Sequence, residues 1–236
     1  MGAIFRREIG AFFTSPIAYI FLIVFYLISG FFFSMYTLRY GITDMTNVFG
    51  SMFLVIVFLI PIMTMKLISE EKRTRTEQGL LTAPVSITSI VLGKYFAALV
   101  LYTVGIAIFL LQALILEYFG NVTWNMVLSN FAGLWFLGAA FIAVTLFVSS
   151  LTENQIIAAI LGFISLFVLY LIDAVAEAVP DKLSIVSDIL HKLSFQTRYN
   201  EFVSGLFNFS SIMFFISTAV LFNFFTVRVF EKRRWN

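Results

Sequence analysis

Residues 16–38 have the sequence PIAYIFLIVFYLISGFFFSMYTL, a run that contains no charged side chain. A transmembrane α-helix needs about 20 consecutive apolar residues, and this run is long enough to supply them. A strand of a transmembrane β-barrel would instead alternate apolar and polar residues, and no such alternation is present. The run therefore predicts a membrane-spanning helix.

The composition of the whole chain extends this interpretation. Of the 236 residues, 61% are hydrophobic and only 12% are charged, whereas a soluble domain carries about 25% charged residues. The chain has no cysteine, which excludes disulfides and thiolate metal sites. Its net charge of +2 gives no indication of nucleic-acid binding. We therefore expect an all-α polytopic membrane protein, with residues 1–236 forming a single domain in contact with the lipid bilayer.

Five further apolar runs predict five further membrane spans. They are Met45–Met65, Tyr95–Leu116, Asn125–Ser150, Gln155–Ile172 and Phe202–Val227. A tight turn at residues 152–154 joins two of them. None of the six spans has an ionisable residue near its centre, and such residues carry the coupling in ion-driven transporters and pumps. A secondary transporter or channel that works alone is therefore the least favoured function.

Residues 1–15 precede the first span and predict an amphipathic helix over residues 2–14. Its apolar side chains recur at helical spacing at Phe5, Ile9, Phe12 and Phe13, and its charged residues are Arg6, Arg7 and Glu8. Helices of this kind lie in the membrane interface with basic side chains toward the lipid headgroups. We therefore expect an interfacial helix in which Phe5 faces apolar surroundings and Arg6 and Arg7 face headgroups.

Residues 66–94 form the longest polar interruption in the first two thirds of the chain. Its charged residues are Lys66, Glu70, Glu71, Lys72, Arg73, Arg75, Glu77 and Lys94. Thr74 and Glu77 have the spacing of a capping box, and Leu80 and Leu81 follow before Pro84 ends the segment. The pattern predicts a short helix with an apolar face that docks to a partner. The alternative is a solvated loop.

The positions of lysine and arginine predict the orientation in the membrane. One side receives Arg6, Arg7, Lys66, Lys72, Arg73, Arg75, Lys94, Arg228, Lys232, Arg233 and Arg234, and the other receives only Arg39, Lys182, Lys192 and Arg198. The positive-inside rule places the richer side in the cytoplasm. Both termini, the hairpin and the turn at 152–154 are then cytoplasmic. Residues 173–201, which predict one or two short helices, lie outside.

The sequence contains no recognisable catalytic or nucleotide-binding motif. His191 is the one histidine, and a single histidine without cysteine does not make a zinc site. Gly93-Lys94 lacks the first glycine of a P-loop and is followed by Tyr95. We therefore expect a non-catalytic subunit without metal or cofactor of its own.

Two segments resemble a known family. EEKRTRTEQGLLTAPVSITSIVLGK, residues 70–94, resembles the signature of ABC-2 type permeases, with its Leu-Leu-Thr, Pro-Val-Ser and Val-Leu-Gly-Lys groups. FRREIGAFFTSPIAYIFLIVFYLISGFFF, residues 5–33, is similar to the branch associated with gliding motility. Two departures stand out. Arg75 occupies a position where many members have glycine, and Gly79 replaces a bulky apolar residue, which lowers helix propensity by about 1 kcal/mol.

The resemblance implies a six-span permease in the plasma membrane of a bacterium or archaeon. Its implied partners are a second permease and two ATPase subunits, which would bind the ATP and Mg²⁺. The implied coupling interface comprises Glu71, Arg73, Thr76, Glu77, Gln78, Leu80, Leu81, Pro84 and, as a second contact, Glu153. Residues 173–201 would form outer gate helices. The function expected is ATP-driven transport, most readily export; the alternative is an ATPase-coupled anchor or machine component that moves no substrate.

Overall fold

The computed structural model describes residues 1–76, 78–79, 85–179 and 184–235, and within these ranges the chain is helical with no strand. The helices are α1 (Gly2–Thr14), α2 (Pro16–Phe33, continued by a π-helical turn Ser34–Leu38), α3 (Thr46–Thr64), α4 (Lys66–Arg73), α5 (Ile87–Ile106), α6 (Ile108–Phe119), α7 (Trp124–Leu151), α8 (Gln155–Ala178), α9 (Ser184–Leu193), α10 (Phe195–Val203) and α11 (Phe209–Trp235). The all-α class is confirmed.

Six helices in the described part of the chain are long and apolar enough to cross a membrane. They are Pro16–Leu38, Thr46–Arg73, Ile87–Phe119, Trp124–Leu151, Gln155–Ala178 and Phe209–Arg233. The prediction of a multi-pass membrane protein with six spans is therefore confirmed. Two of these spans combine consecutive helices, because α4 follows α3 and α6 follows α5 with only a single-residue break.

Helix α7 forms the centre of the bundle, with about three quarters of its most apolar window buried by other helices (72%). Small residues allow this close packing. A Cβ added at Gly138 would lie 2.2 Å from the ring of Tyr102 in α5. A Cβ added at Gly133 would lie 2.4 Å from Cβ of Phe202 in α10. These two glycines therefore mark close helix contacts, of the kind that small residues permit in membrane proteins.

Two of the predicted spans begin at the wrong residue. The third span begins at Ile87 rather than Tyr95, because Ser86 caps the helix by accepting a hydrogen bond from the Ser89 N–H. The polar hairpin is correspondingly shorter than residues 66–94. The last span begins at Phe209 rather than Phe202, because Gly205, with φ of 78°, separates it from α10. A positive φ of this kind favours glycine and ends a helix.

Two short helices, α9 and α10, lie at the end of the bundle opposite the hairpin. They fall within the predicted range 173–201, but the first residues of that range, up to Ala178, still belong to α8. Asp173 of α8 accepts a hydrogen bond from Thr197 at 2.6 Å and lies 3.3 Å from Nδ1 of His191. Tyr199 is buried, and its hydroxyl donates to the Phe49 carbonyl at 2.8 Å. Burial raises the pKa of Tyr199, so this hydroxyl keeps its proton. The two helices are therefore tied to both α8 and α3.

Candidate functional site

A cluster of charged side chains joins the N-terminal helix to both arms of the hairpin. Its members, which we call the charge cluster, are Arg7 and Glu8 of α1, Glu71 of α4 and Lys94 of α5. Two cations and two carboxylates make the cluster neutral. Buried charges are tolerated in proteins only when they are paired in this way.

Lys94 lies at the centre of the charge cluster, and its side chain is completely buried, with 0% exposure. Its Nζ lies 3.1 Å from Glu8 Oε1 and 2.9 Å from Glu71 Oε1. It also donates a hydrogen bond of 2.7 Å to the Leu67 carbonyl. The ammonium group has three N–H donors, so these three partners satisfy it.

Arg7 closes the charge cluster on its solvent side. Its Nη2 lies 2.8 Å from Glu71 Oε1 and also pairs with Glu8. Partial burial alone would lower the pKa of Arg7, but its hydrogen bonds and charge interactions with Glu8 and Glu71 outweigh that effect and raise it. The guanidinium is therefore charged at physiological pH.

Helix α1 approaches α5 closely enough for these ion pairs because Gly93 has no side chain. A Cβ at Gly93 would lie 2.9 Å from Cγ2 of Ile4. The buried residues of α1 are Ile4, Glu8 and Phe12, which recur every four residues. Glu8, which the sequence pattern grouped with the charged residues Arg6 and Arg7, is therefore buried together with the apolar residues.

The other predicted residues of α1 fall into two groups. Phe5 and Ile9 are half-buried and pack against the core, whereas Phe13 is exposed. Arg6 is exposed, as expected for a headgroup-facing residue. Arg7, which has the same predicted role, is also exposed, and in addition it pairs with Glu71, a partner 64 positions away that the spacing of apolar residues could not show.

Helix α4 also contacts the end of α7. The Ser69 N–H donates to Ser149 Oγ at 3.3 Å, and Lys72 Nζ donates to the Ser150 carbonyl at 3.1 Å. Arg233 of α11 donates to the same carbonyl. The short turn that follows α7 therefore lies at the same end of the bundle as the hairpin and the last helix, which we call the hairpin end.

The predicted interface residues divide according to these contacts. Glu71 belongs to the charge cluster and faces inward. Exposed positions at the hairpin end are Arg73, Thr76 and Gln78, together with Glu153 in the turn between α7 and α8. The remaining predicted residues, Glu77, Leu80, Leu81 and Pro84, lie outside the described residues.

Thr74 and Arg75 form the turn that ends α4. The Thr74 hydroxyl donates to the Glu70 carbonyl at 2.9 Å, so this side chain binds the preceding helix. Arg75 has a φ of 59°, a left-handed conformation that costs a non-glycine residue about 1–2 kcal/mol. The position at which this chain departs from the usual glycine is therefore one whose backbone favours glycine.

Comparison with known protein families gives a match over nearly the whole chain. The family model described as ABC-2 family transporter protein matches residues 3–234, which is nearly the whole chain. No curated protein matches the chain. Permeases of this family are membrane subunits, generally not catalytic themselves, and partner an ABC ATPase. The chain therefore belongs to the ABC-2 family of transporter proteins.

Proposed function

We propose that the chain is the permease subunit of an ATP-driven exporter, and that its hairpin end docks an ABC ATPase. The observation that supports this proposal is the charge cluster. It connects the hairpin to α1 and α5 through ion pairs whose partners lie up to 86 residues apart. A displacement of the hairpin is therefore opposed by charged contacts on two other helices.

The charge cluster supports a rigid transmission of movement. Moving Glu71 away from both Arg7 and Lys94 would leave these two cations with one carboxylate, Glu8, at a largely buried site, which is unfavourable. It is therefore easier for α4, α1 and α5 to move together than for α4 to move alone. Movement of packed elements as rigid bodies is a common basis of switching in proteins.

The arrangement of partners follows from the same proposal. ATP and Mg²⁺ bind to the ATPase subunits, of which we infer two copies, and their hydrolysis supplies the energy. A second permease completes the membrane part. The excess of lysine and arginine at the hairpin end supports a cytoplasmic position for this end and both termini. We infer the plasma membrane of a bacterium or archaeon as the location.

Docking predicts a specific response to charge reversal at the hairpin end. We expect Arg73→Glu and Glu153→Lys to reduce recovery of the ATPase with the affinity-purified permease by on the order of tenfold, because reversed charges oppose a complementary surface. Arg39→Glu is the matched control, since Arg39 is exposed and lies in the link between α2 and α3, away from the hairpin end. Equal ATPase recovery with all three variants would contradict the docking surface.

Reconstitution distinguishes an exporter from an anchor, including a component of the gliding-motility type that residues 5–33 resemble. Vesicles that contain permease and ATPase are supplied with ATP and labelled lipids or amphiphiles. An exporter moves a labelled compound between leaflets or across the membrane. An anchor hydrolyses ATP and leaves every compound in place.

A further inference from the structure

A groove with a volume of about 680 Å³ lies between α5, α7 and α11. Ligand sites in proteins have volumes of about 300–1,000 Å³ and are mainly apolar with a few polar groups. The groove fits this description. Its wall is formed mainly by aromatic and aliphatic side chains, including Trp135 of α7 and Phe215 of α11.

The groove extends over a length that corresponds to one leaflet of a bilayer. Phe215 and Arg228 both line it and lie on the same helix. At 1.5 Å per residue, they are separated by about 20 Å along the axis of α11. One leaflet contributes about half of the 30 Å hydrocarbon core, so a groove of this length reaches from the hydrocarbon to the headgroups.

Asn223 is a polar residue in the wall of this apolar groove and is only 6% exposed. Its Nδ2 donates to the Ala219 carbonyl at 2.8 Å. Its Oδ1 has no hydrogen-bond partner among the described residues. A buried acceptor without a donor is unfavourable, and rotation of the Asn223 amide toward the groove would let a ligand's hydroxyl or amide N–H satisfy it.

The end of the groove carries one cation and one anion. Arg228 Nη1 lies 2.7 Å from Glu231 Oε2, and the Arg228 guanidinium lies 4.8 Å from the centre of the Phe224 ring. The side chains of Arg228 and Glu231 are 63% and 38% exposed. Such an exposed pair stabilises a helix little, so a ligand with both charges can replace it at small cost.

We propose that the groove binds a single-chain zwitterionic phospholipid, a lysophospholipid with an amine headgroup. Its phosphate pairs with Arg228 and its ammonium with Glu231. Its free glycerol hydroxyl donates to Asn223 Oδ1, which lies about 7 Å deeper along α11. Its acyl chain lies against Phe215 and Trp135. This binding requires no ATPase and is independent of the proposed function.

Fluorescence of Trp135 tests this proposal directly. With Trp124 and Trp235 replaced by phenylalanine, Trp135 is the one remaining tryptophan. Brominated lysophosphatidylethanolamine is titrated into the purified protein in a bromine-free detergent, since bromine quenches indole fluorescence only at short range. We expect saturable quenching, and an apparent dissociation constant at least about tenfold higher when the lysolipid's hydroxyl is methylated.

Three variants locate the binding site. Asn223→Leu removes the acceptor, and Val220→Phe adds bulk to the groove, so both raise the dissociation constant about tenfold or more. Leu221→Phe is the matched control, because Leu221 is exposed on the same helix and does not line the groove. Circular dichroism and size-exclusion chromatography verify the fold. If Asn223→Leu fails to fold, two comparisons still show whether the lysolipid binds in the groove. They are the methylated against the unmethylated lysolipid, and Val220→Phe against Leu221→Phe.

Two results would overturn the proposal. The first is quenching that does not saturate, or that is equal in all variants, because it would show contact with bulk amphiphile only. The second is quenching that is abolished when the permease dimerises, because a second copy of the chain would then be the occupant of the groove.

Discussion

Replacing Lys94 by methionine is expected to destabilise the protein by about 3 kcal/mol, because removing one partner of a buried ion pair leaves a buried charge uncompensated. Methionine matches the shape of the lysine stem but cannot pair with Glu8 and Glu71. Arg7 still contacts both carboxylates, which keeps the cost at the lower end of the usual range. For a chain of this size, the melting temperature should fall by roughly 6–12 °C.

A second substitution distinguishes the loss of charge balance from the loss of packing. In Lys94→Met combined with Glu8→Gln, the charge cluster retains Arg7 and Glu71 and is neutral again. We expect this double variant to regain at least half of the lost stability. Such recovery shows coupling between the two positions, which a double-mutant cycle measures.

Lys66→Met is the matched control for this experiment. Lys66 pairs with Glu70 at 3.9 Å, and both side chains are about one third exposed. Exposed pairs of this spacing contribute less than about 0.5 kcal/mol, so the melting temperature should hardly change. The structural role of the charge cluster would be contradicted if Lys94→Met had the same melting temperature as Lys66→Met. A double variant less stable than Lys94→Met would also contradict it.

Replacing Gly138 by alanine is expected to cost about 3 kcal/mol, the upper part of the range for overpacked sites. The new Cβ would lie 2.2 Å from two ring atoms of Tyr102. Tyr102 is fully buried, and its hydroxyl donates to the Leu134 carbonyl at 2.8 Å. The ring cannot move away without losing this hydrogen bond.

Two comparisons make this prediction specific. Gly50→Ala is the control, because a Cβ there meets no atom within 4 Å, and alanine favours a helix by up to about 1 kcal/mol over glycine. Tyr102→Leu combined with Gly138→Ala should cost less than the sum of the two single variants, since the ring that the Cβ would overlap is gone. Thermal unfolding in detergent measures the four variants and the wild-type protein. Additive costs, or a Gly138→Ala variant as stable as Gly50→Ala, would contradict the packing described for α5 and α7.

The six spans could be predicted from the sequence because their physical signal is local. A membrane helix requires a long run without charges, and Pro16–Leu38 is such a run with both ends correctly identified. The close contacts at Gly133 and Gly138 were predictable in kind, because small residues in apolar helices permit close approach. Their partners, Phe202 and Tyr102, depend on the tertiary fold and were not predictable.

The charge cluster could not be predicted because its signal is long-range. Glu8 stands beside Arg7 in the sequence, so it was grouped with the charged residues of the amphipathic helix. Its burial depends on Lys94, 86 positions away. The spacing of Ile4, Glu8 and Phe12 was present in the sequence, but a buried carboxylate is recognisable only once its cation is known. Lys94 was assigned to the hairpin because the third span was predicted to begin at Tyr95, whereas its helix begins at Ile87, after the N-cap Ser86.

The most direct test of the ATPase docking surface uses the absence of cysteine from the chain. A single cysteine is introduced at Arg73, an exposed position of the hairpin end. It is labelled with a photoactivatable crosslinker in native membranes, with a cysteine at Arg39 as the control. Docking predicts that the first crosslinks to a protein with nucleotide-binding motifs, that ATP changes the yield, and that the control yields no such product. Failure of the Arg73 position to crosslink to any ATPase, or equal crosslinking from both positions, would contradict the assignment.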